Sequence, residues 1–302
     1  MQSISHKNLS WIFIEEPKAE DISFIQGEFQ LHPLIIGKLT IPIYRPQYSE
    51  HEGYFFAVFH FPIFNKDGGF HEIGEVDILV NNKFVVTVCS HENSPLDFFF
   101  NQCQKNIEAS RKYFEKGPFY LLFIIIAQIL HSYYPFLDRL AQETERIETD
   151  LFNERENRTL KSITLLQRDI LDVRRVIKPQ LPVFRSIFAK EEVSRNDFLR
   201  IYAQDIVATN IQIWNTLENY WETVNALHRT NNTLISYKLN KIINILTAFS
   251  ISFLPATLLA SFMGMNVIIP HPFDDYRVIL TFMLFLMSST AIFALILIKR
   301  KS

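Results

Sequence analysis

Along this chain the spacing of hydrophobic positions changes from strand-like to helical and ends in two unbroken apolar runs. From Trp11 to about Ser90 the runs are short and mixed. Tyr54–Phe64 reads as a strand, and residues 76–80 with Phe84–Cys89 read as a hairpin around Asn81-Asn82-Lys83. This predicts a small α/β region. From about Pro95 to Glu192 apolar residues recur at helical spacing, with residues 119–152 and 159–188 as long segments carrying charge on one side. Pro135, Pro179 and Pro182 are expected to kink or shift these helices. Residues 119–130 are apolar but interrupted by Gln128 and well short of the ~20 residues that a bilayer demands, so they read as a core helix.

A capping-box pattern, Ser194-Arg195-Asn196-Asp197, opens a stretch without glycine or proline until Pro255, which predicts one very long helix. It carries Trp214, Tyr220 and Trp221 among polar residues and then enters an apolar run at 242–263. A second apolar run follows at 278–298. Both are near bilayer length and free of charge, which predicts two transmembrane helices rather than buried helices of a soluble core. Lys238 and Lys241 precede the first run and Lys299-Arg300-Lys301 follow the second, whereas the loop between holds Asp274, Asp275 and Arg277. By the positive-inside rule both ends are cytoplasmic and the loop is external. The expected organisation is an α+β cytoplasmic domain with long helices over 1–193, the cytoplasmic part of a stalk helix over 194–241 and a first span over 242–263. An external loop over 264–277, a second span over 278–298 and a basic cytoplasmic tail over 299–302 complete it.

Steps of three and four from Asn240 along the first run place Asn240, Ile243, Thr247, Ser250, Leu254, Thr257, Ser261 and Gly264 on one helix face, with Leu246 beside it. That face is small and polar, punctuated by bulky aliphatics. Two readings stand: small hydroxyl residues permit close helix packing, or they line water in a pore. The polar residues of the second run, Ser288-Ser289-Thr290, are consecutive and make no stripe, so that helix reads as an outer, lipid-facing one. A single striped helix per chain cannot enclose a pore, so the pore reading requires several subunits around an axis. Ile243, Leu246 and Leu254 would then form rings able to exclude water.

Charge removes some function classes. The 30 basic and 32 acidic residues nearly cancel, which disfavours a nucleic-acid partner. Only two cysteines occur, Cys89 and Cys103, so the soluble part is expected in a reducing compartment. The first ten residues are polar and lack the apolar stretch of a secretory signal, which leads us to expect them in the cytosol. The nine histidines form no His-Glu-x-x-His pattern, and Cys89-Ser90-His91 is too tight for a usual zinc site. Arg174, Arg175 and Lys178 could face neighbouring helices near the membrane but read more simply as a solvated face, as do the carboxylates from Glu143 to Asp150. No nucleophile, base and orienting residue stand out together, and no enzyme is expected.

The triplet Gly264-Met265-Asn266 at the outer end of the first run resembles the signature of the CorA family of magnesium transporters. The resemblance extends over residues 240–266, including Leu246-Thr247 and Pro255 with Thr257. It extends also to the basic tail and, far upstream, to Trp11 with Glu15-Glu16-Pro17, Leu31-His32-Pro33-Leu34, and Arg45-Pro46 followed by Tyr54-Phe55. The resemblance implies a funnel-shaped homopentamer in a bacterial inner membrane, in contact with lipid. It implies passive transport of hydrated Mg²⁺, with Co²⁺ and Ni²⁺ accepted and no prosthetic group. Gly264, Met265 and Asn266 would form the selectivity filter, with Asp274 and Asp275 as external loop acids. Met263 and Val267 depart from the aromatic flanks common in the family. On the stalk only the first acid of the family's Mg²⁺-sensing pair is kept, as Asp205, so Asp205 is the candidate regulatory metal ligand and Mg²⁺ gating is expected to be weakened or relocated. Two alternatives stay open: zinc transport, proton-coupled, as in the related zinc transporter branch, and a non-conducting membrane-anchored scaffold.

Overall fold

The computed structural model describes the whole chain except residues 66–69, 93, 154–155, 266–275 and 302. It forms two compact units, residues Met1–His228 and Arg229–Ser302.

The first unit is built on a six-stranded mixed sheet. Its strands are β1 (Gln2–His6), β2 (Leu9–Glu15), β3 (Gln47–His51), β4 (Tyr54–Phe64), β5 (Phe70–Val80) and β6 (Phe84–Cys89), in the order β1-β2-β6-β5-β4-β3. Only β2 and β6 run parallel. Strand β4 is buried without a break from Tyr54 to Pro62, as a central strand covered on both faces should be. The β5–β6 hairpin turns where expected: the Asn81 side-chain oxygen accepts the Lys83 and Phe84 N–H groups at 2.7 and 2.8 Å. Strand β5 is longer than its apolar 76–80 segment because its first half is a polar continuation paired to β4. Gly74 there faces Phe61, whose ring lies 2.6 Å from where a Cβ would stand. Strand β1 escaped the sequence reading because an edge strand buries only Ile4 and leaves almost no hydrophobic alternation.

Helices cover both faces. On one, α1 (Ala19–Phe29) and α2 (Pro33–Thr40) pack Ile22, Ile25, Ile35 and Leu39 against Ile12, Phe56, Val58, Leu79 and Val86. On the other stand α3 (Pro95–Lys105), α4 (Ile107–Phe114), α5 (Pro118–His131), α6 (Tyr134–Phe152), α7 (Glu156–Phe188), the one-turn α8 (Glu191–Ser194) and the first part of α9 (Asp197–Met263). The sequence supplies their starts: His32 caps α2 ahead of Pro33, Ser94 caps α3 ahead of Pro95, and Gly117, at φ 95°, turns the chain into Pro118.

The core-helix reading of 119–130 holds. In the apolar stretch of Pro118–Leu151, 61% of residues are buried, against 11% in that of Asp197–Phe262, so among the described residues the first is a core segment and the second is exposed. Three expectations are corrected. The 119–152 segment is two helices, parted at Ser132 and Tyr133 ahead of Pro135, because proline suits a helix start and breaks a helix interior. The long helix is capped by Asn196, whose side-chain oxygen accepts the Phe198 and Leu199 N–H groups at 3.0 and 3.3 Å, while Ser194 ends α8. Arg174 and Lys178 are not a purely solvated face: Lys178 lies 4.7 Å over Trp214, and Arg174 sits against Trp214 and Trp221 on α9. Arg175 does stay outward, paired to Asp172 at 3.1 Å. Pro179 and Pro182 lie within α7 without ending it.

Candidate functional site

The second unit holds the end of α9 and helix α10 (Tyr276–Lys301). The apolar stretch of α9 over 242–263 spans about 33 Å at the helical rise per residue, enough for a bilayer core. Pro255 lies inside the helix without ending it.

A narrow face of this helix is shielded and the rest is exposed. Asn240, Ile243, Leu246, Thr247, Ser250, Leu254, Thr257 and Ser261 are all exposed. Ala248 and Ala256 are buried, and Ser252, Pro255 and Leu259 are half-buried. At about 100° per residue the shielded set falls on the side of the helix opposite the polar stripe. Helix α10 carries a matching shielded set, Ile279, Met283, Leu286, Met287, Thr290 and Ala291, again at helical spacing. These are the faces along which two helices of one unit can pack, and Ala248-x-x-x-Ser252-x-x-x-Ala256 is the small-residue spacing that lets backbones approach. Within the chain, then, the shielded residues are this second set, while the hydroxyl stripe is left uncovered. Small residues at steps of four are countable in the sequence, but the count does not say which face is shielded.

The hydroxyls of the stripe are committed as donors. Thr247 donates to the Ile243 carbonyl at 2.8 Å, Ser250 to Leu246 at 2.9 Å, Thr257 to Phe253 at 3.0 Å and Ser261 to Thr257 at 2.8 Å. Each hydrogen points back along the helix, so each oxygen presents its lone pairs outward as an acceptor. Helix α9 closes at its C-terminus with the Gly264 N–H bonded to the Ala260 carbonyl at 3.0 Å and that of Met265 to Phe262 at 3.2 Å. A Cβ on Gly264 would meet only the Ala260 and Ser261 carbonyls at 3.5 and 3.6 Å, an ordinary contact. Asn266, Asp274 and Asp275 lie outside the described residues. Asp205 is on α9 in the first unit and exposed. Among the described residues no group of three metal-ligating side chains converges, at Asp205 or elsewhere.

The cobalt/magnesium transport protein CorA of Thermotoga maritima is 25% identical over 260 residues, covering 85% of this chain and 73% of that one. The complete structure of the CorA magnesium transporter from Methanocaldococcus jannaschii shares the fold with a TM-score of 0.81 at 19% identity, over 100% of this chain and 94% of that one. The cytoplasmic domain of ZntB from Vibrio parahaemolyticus matches with a TM-score of 0.62 at 14% identity, over 76% and 91%. Residues 6–300 match the model of one family throughout, and the chain belongs to the CorA-like Mg²⁺ transporter protein family.

Proposed function

We propose that the chain is one subunit of a homopentameric, two-pass channel that passes hydrated divalent cations, Mg²⁺ foremost and Co²⁺ and Ni²⁺ with it, through a pore lined by the exposed stripe of α9. The observation that carries this reading is that the stripe is uncovered within the chain and its hydroxyls have already spent their hydrogens on the helix backbone. A hydrated Mg²⁺ offers only donors, the outward O–H groups of its water, and releases that water reluctantly. Acceptor oxygens at Asn240, Thr247, Ser250, Thr257 and Ser261 suit such an ion, and weak, repeated contacts allow it to leave as well as enter. Ile243, Leu246 and Leu254 would narrow the pore by hydrophobic constriction. Gly264, Met265 and Asn266 would close its outer end, with the Asn266 amides as a neutral ring that grips water without stripping it. Asp274 and Asp275 would attract cations from outside. In this arrangement 1–241 and the tail 299–302 are cytoplasmic, 242–263 and 278–298 span the membrane, and 264–277 face outward. A divalent ion entering down the membrane potential gains about 4.6 kcal/mol per 100 mV, twice the unit-charge value. Asp205 alone makes a weak regulatory ligand, so closure by internal Mg²⁺ is blunted.

Flux through the purified full chain in liposomes tests the proposal, with Mg²⁺, Co²⁺, Ni²⁺ and Zn²⁺ each measured with and without a pH gradient. Mg²⁺ entry that needs no proton gradient and drops or loses selectivity in Asn266→Ala is expected. Zinc entry driven by the proton gradient would assign the chain to zinc transport, and no flux of any cation would leave a scaffold.

A further inference from the structure

On the face of the sheet covered by α1 and α2, the apolar alternation of β4 and β5 gives way to three polar side chains. His60 and Glu75 are direct cross-strand partners, and Asp77 stands two residues beyond Glu75 on the same face. They are 2%, 8% and 4% exposed. Above them runs the 41–46 connection from α2 to β3, held at Ile43 by both neighbours. The Ile43 N–H donates to Glu75 Oε2, and His60 Nε2 donates to the Ile43 carbonyl at 2.7 Å. Because Nε2 faces a carbonyl, it carries the imidazole hydrogen, and the buried Nδ1 is left as a lone pair without a partner. Asp77 Oδ1 is also buried without a partner, and the Asp77 and Glu75 carboxyls, on the same face of β5, act on each other. Two neighbouring carboxyls out of water resist ionising together, which favours a shared proton on the pair. No three ligating side chains converge there among the described residues, which favours a proton over a metal ion.

We propose that Glu75 and Asp77 form a buried proton-binding site that keeps the 41–46 connection latched, and that the connection lifts as the site loses its proton. Water has a route: Glu75 and His60 border a cleft of about 560 Å³, and Glu75 and Asp77 a smaller one of about 180 Å³ beneath Ile41 and Pro42. The charged and titratable groups around the site are Lys38 from α2, which acts on Asp77, and Cys89 at the end of β6, which Asp77 acts on. Across the larger cleft stand His71 and Glu72 of β5, His91 beyond β6, and Asp172 and Arg175 of α7. Lys38 is held off by Gln47, to which its Nζ donates at 3.2 Å.

Linkage sets the sign. Burial pushes Glu75 up to about 7 against the pull of the Ile43 N–H and Asp77, and burial with the Glu75 charge holds Asp77 well above the usual carboxylate range. Once the connection lifts and both are hydrated, they return to about 4. The latched form therefore binds protons more tightly, its advantage is complete below about 4, and it is lost as pH rises through the latched values. His60, held down by burial, works the opposite way below about 6.5, so the net opening appears above that pH.

Hydrogen–deuterium exchange of the full chain in detergent, read on peptides covering 41–46 and divided by the intrinsic exchange rate, tests this. Opening is expected to rise at least about tenfold between about pH 6.5 and 8.5 in the wild type and to flatten in Asp77→Asn. Unchanged corrected exchange in the wild type, or an undiminished rise in Asp77→Asn, overturns the proposal. If that variant does not fold, Glu75→Gln keeps the acceptor for Ile43, removes the titration, and is read the same way. The outcome does not depend on whether the chain conducts.

Discussion

The Arg174 guanidinium bonds the Glu218 carboxylate at 2.8 Å while lying 5.1 and 5.3 Å from the Trp214 and Trp221 ring centres, and so ties α7 to the long helix α9 within the first unit. A planar, delocalised cation can lie against the rings and keep a directed bond to the carboxylate, whereas an ammonium makes a point contact. Arg174→Ala is expected to destabilise the chain by about 1–3 kcal/mol, and Arg174→Lys to restore less than half of that. Thermal unfolding of the two variants side by side checks it, and full restoration by lysine would show that charge alone matters.

A buried relay ties the helices to the sheet. The Tyr133 hydroxyl donates to the His60 carbonyl at 2.8 Å, and Gln180 Nε2 donates to the Tyr133 oxygen at 2.9 Å. Tyr133→Phe leaves Gln180 Nε2 with only its longer bond to the His60 carbonyl, at 3.3 Å, and takes the hydroxyl donor from that carbonyl, which should cost about 1–3 kcal/mol. Gln180→Met in the same background should recover part of it, because it removes a buried amide whose Oε1 has no partner and whose Nε2 keeps one long bond.

The two faces of α9 predict opposite phenotypes at adjacent positions. Ala256 is buried and Thr257 exposed. Ala256→Leu overfills the shielded face and should cost about 1–3 kcal/mol of stability. Thr257→Val, which removes one stripe oxygen at constant volume, should leave the melting temperature within error and lower cation flux. A thermal-shift and liposome-flux comparison separates them, and loss of stability in Thr257→Val would place that face in a packed contact.

Cys89 and Cys103 are free thiols in the interior, pushed up to about 12 and about 11 by burial. Their thiolates are negligible at about pH 8, and thiolate is the reacting form. Iodoacetamide should label neither cysteine in the folded chain and both after denaturation, counted by intact mass. Rapid labelling of the native chain would mean that the β6–α3 region opens readily.

Hydrophobic spacing made much of the fold legible. Strands β4 and β6 were readable to the residue, because a buried strand needs an apolar run that no loop carries, and the unbroken α9 was readable because nothing in it interrupts helix formation before Pro255. Strand β1 was not, since its pairing with β2 satisfies its backbone while its side chains stay polar. The stripe from Asn240 to Ser261 was visible as a pattern, but its two readings were equal at that level.

The sequence by itself determined strands β4 and β6 with the hairpin between β5 and β6, the long helix, the two apolar helices at the end and the family signature around Gly264, because these depend on residues near one another along the chain. Tertiary structure alone decided that Ala248 and Ala256 lie on the shielded face of α9 while Thr257 stays open. It also brought His60, Glu75 and Asp77 together under Ile43, and turned Arg174 from solvent to a pair of indoles. Period and capping are local quantities, but burial and hydrogen-bond partners are set by chain segments tens of residues away, which no spacing rule reports.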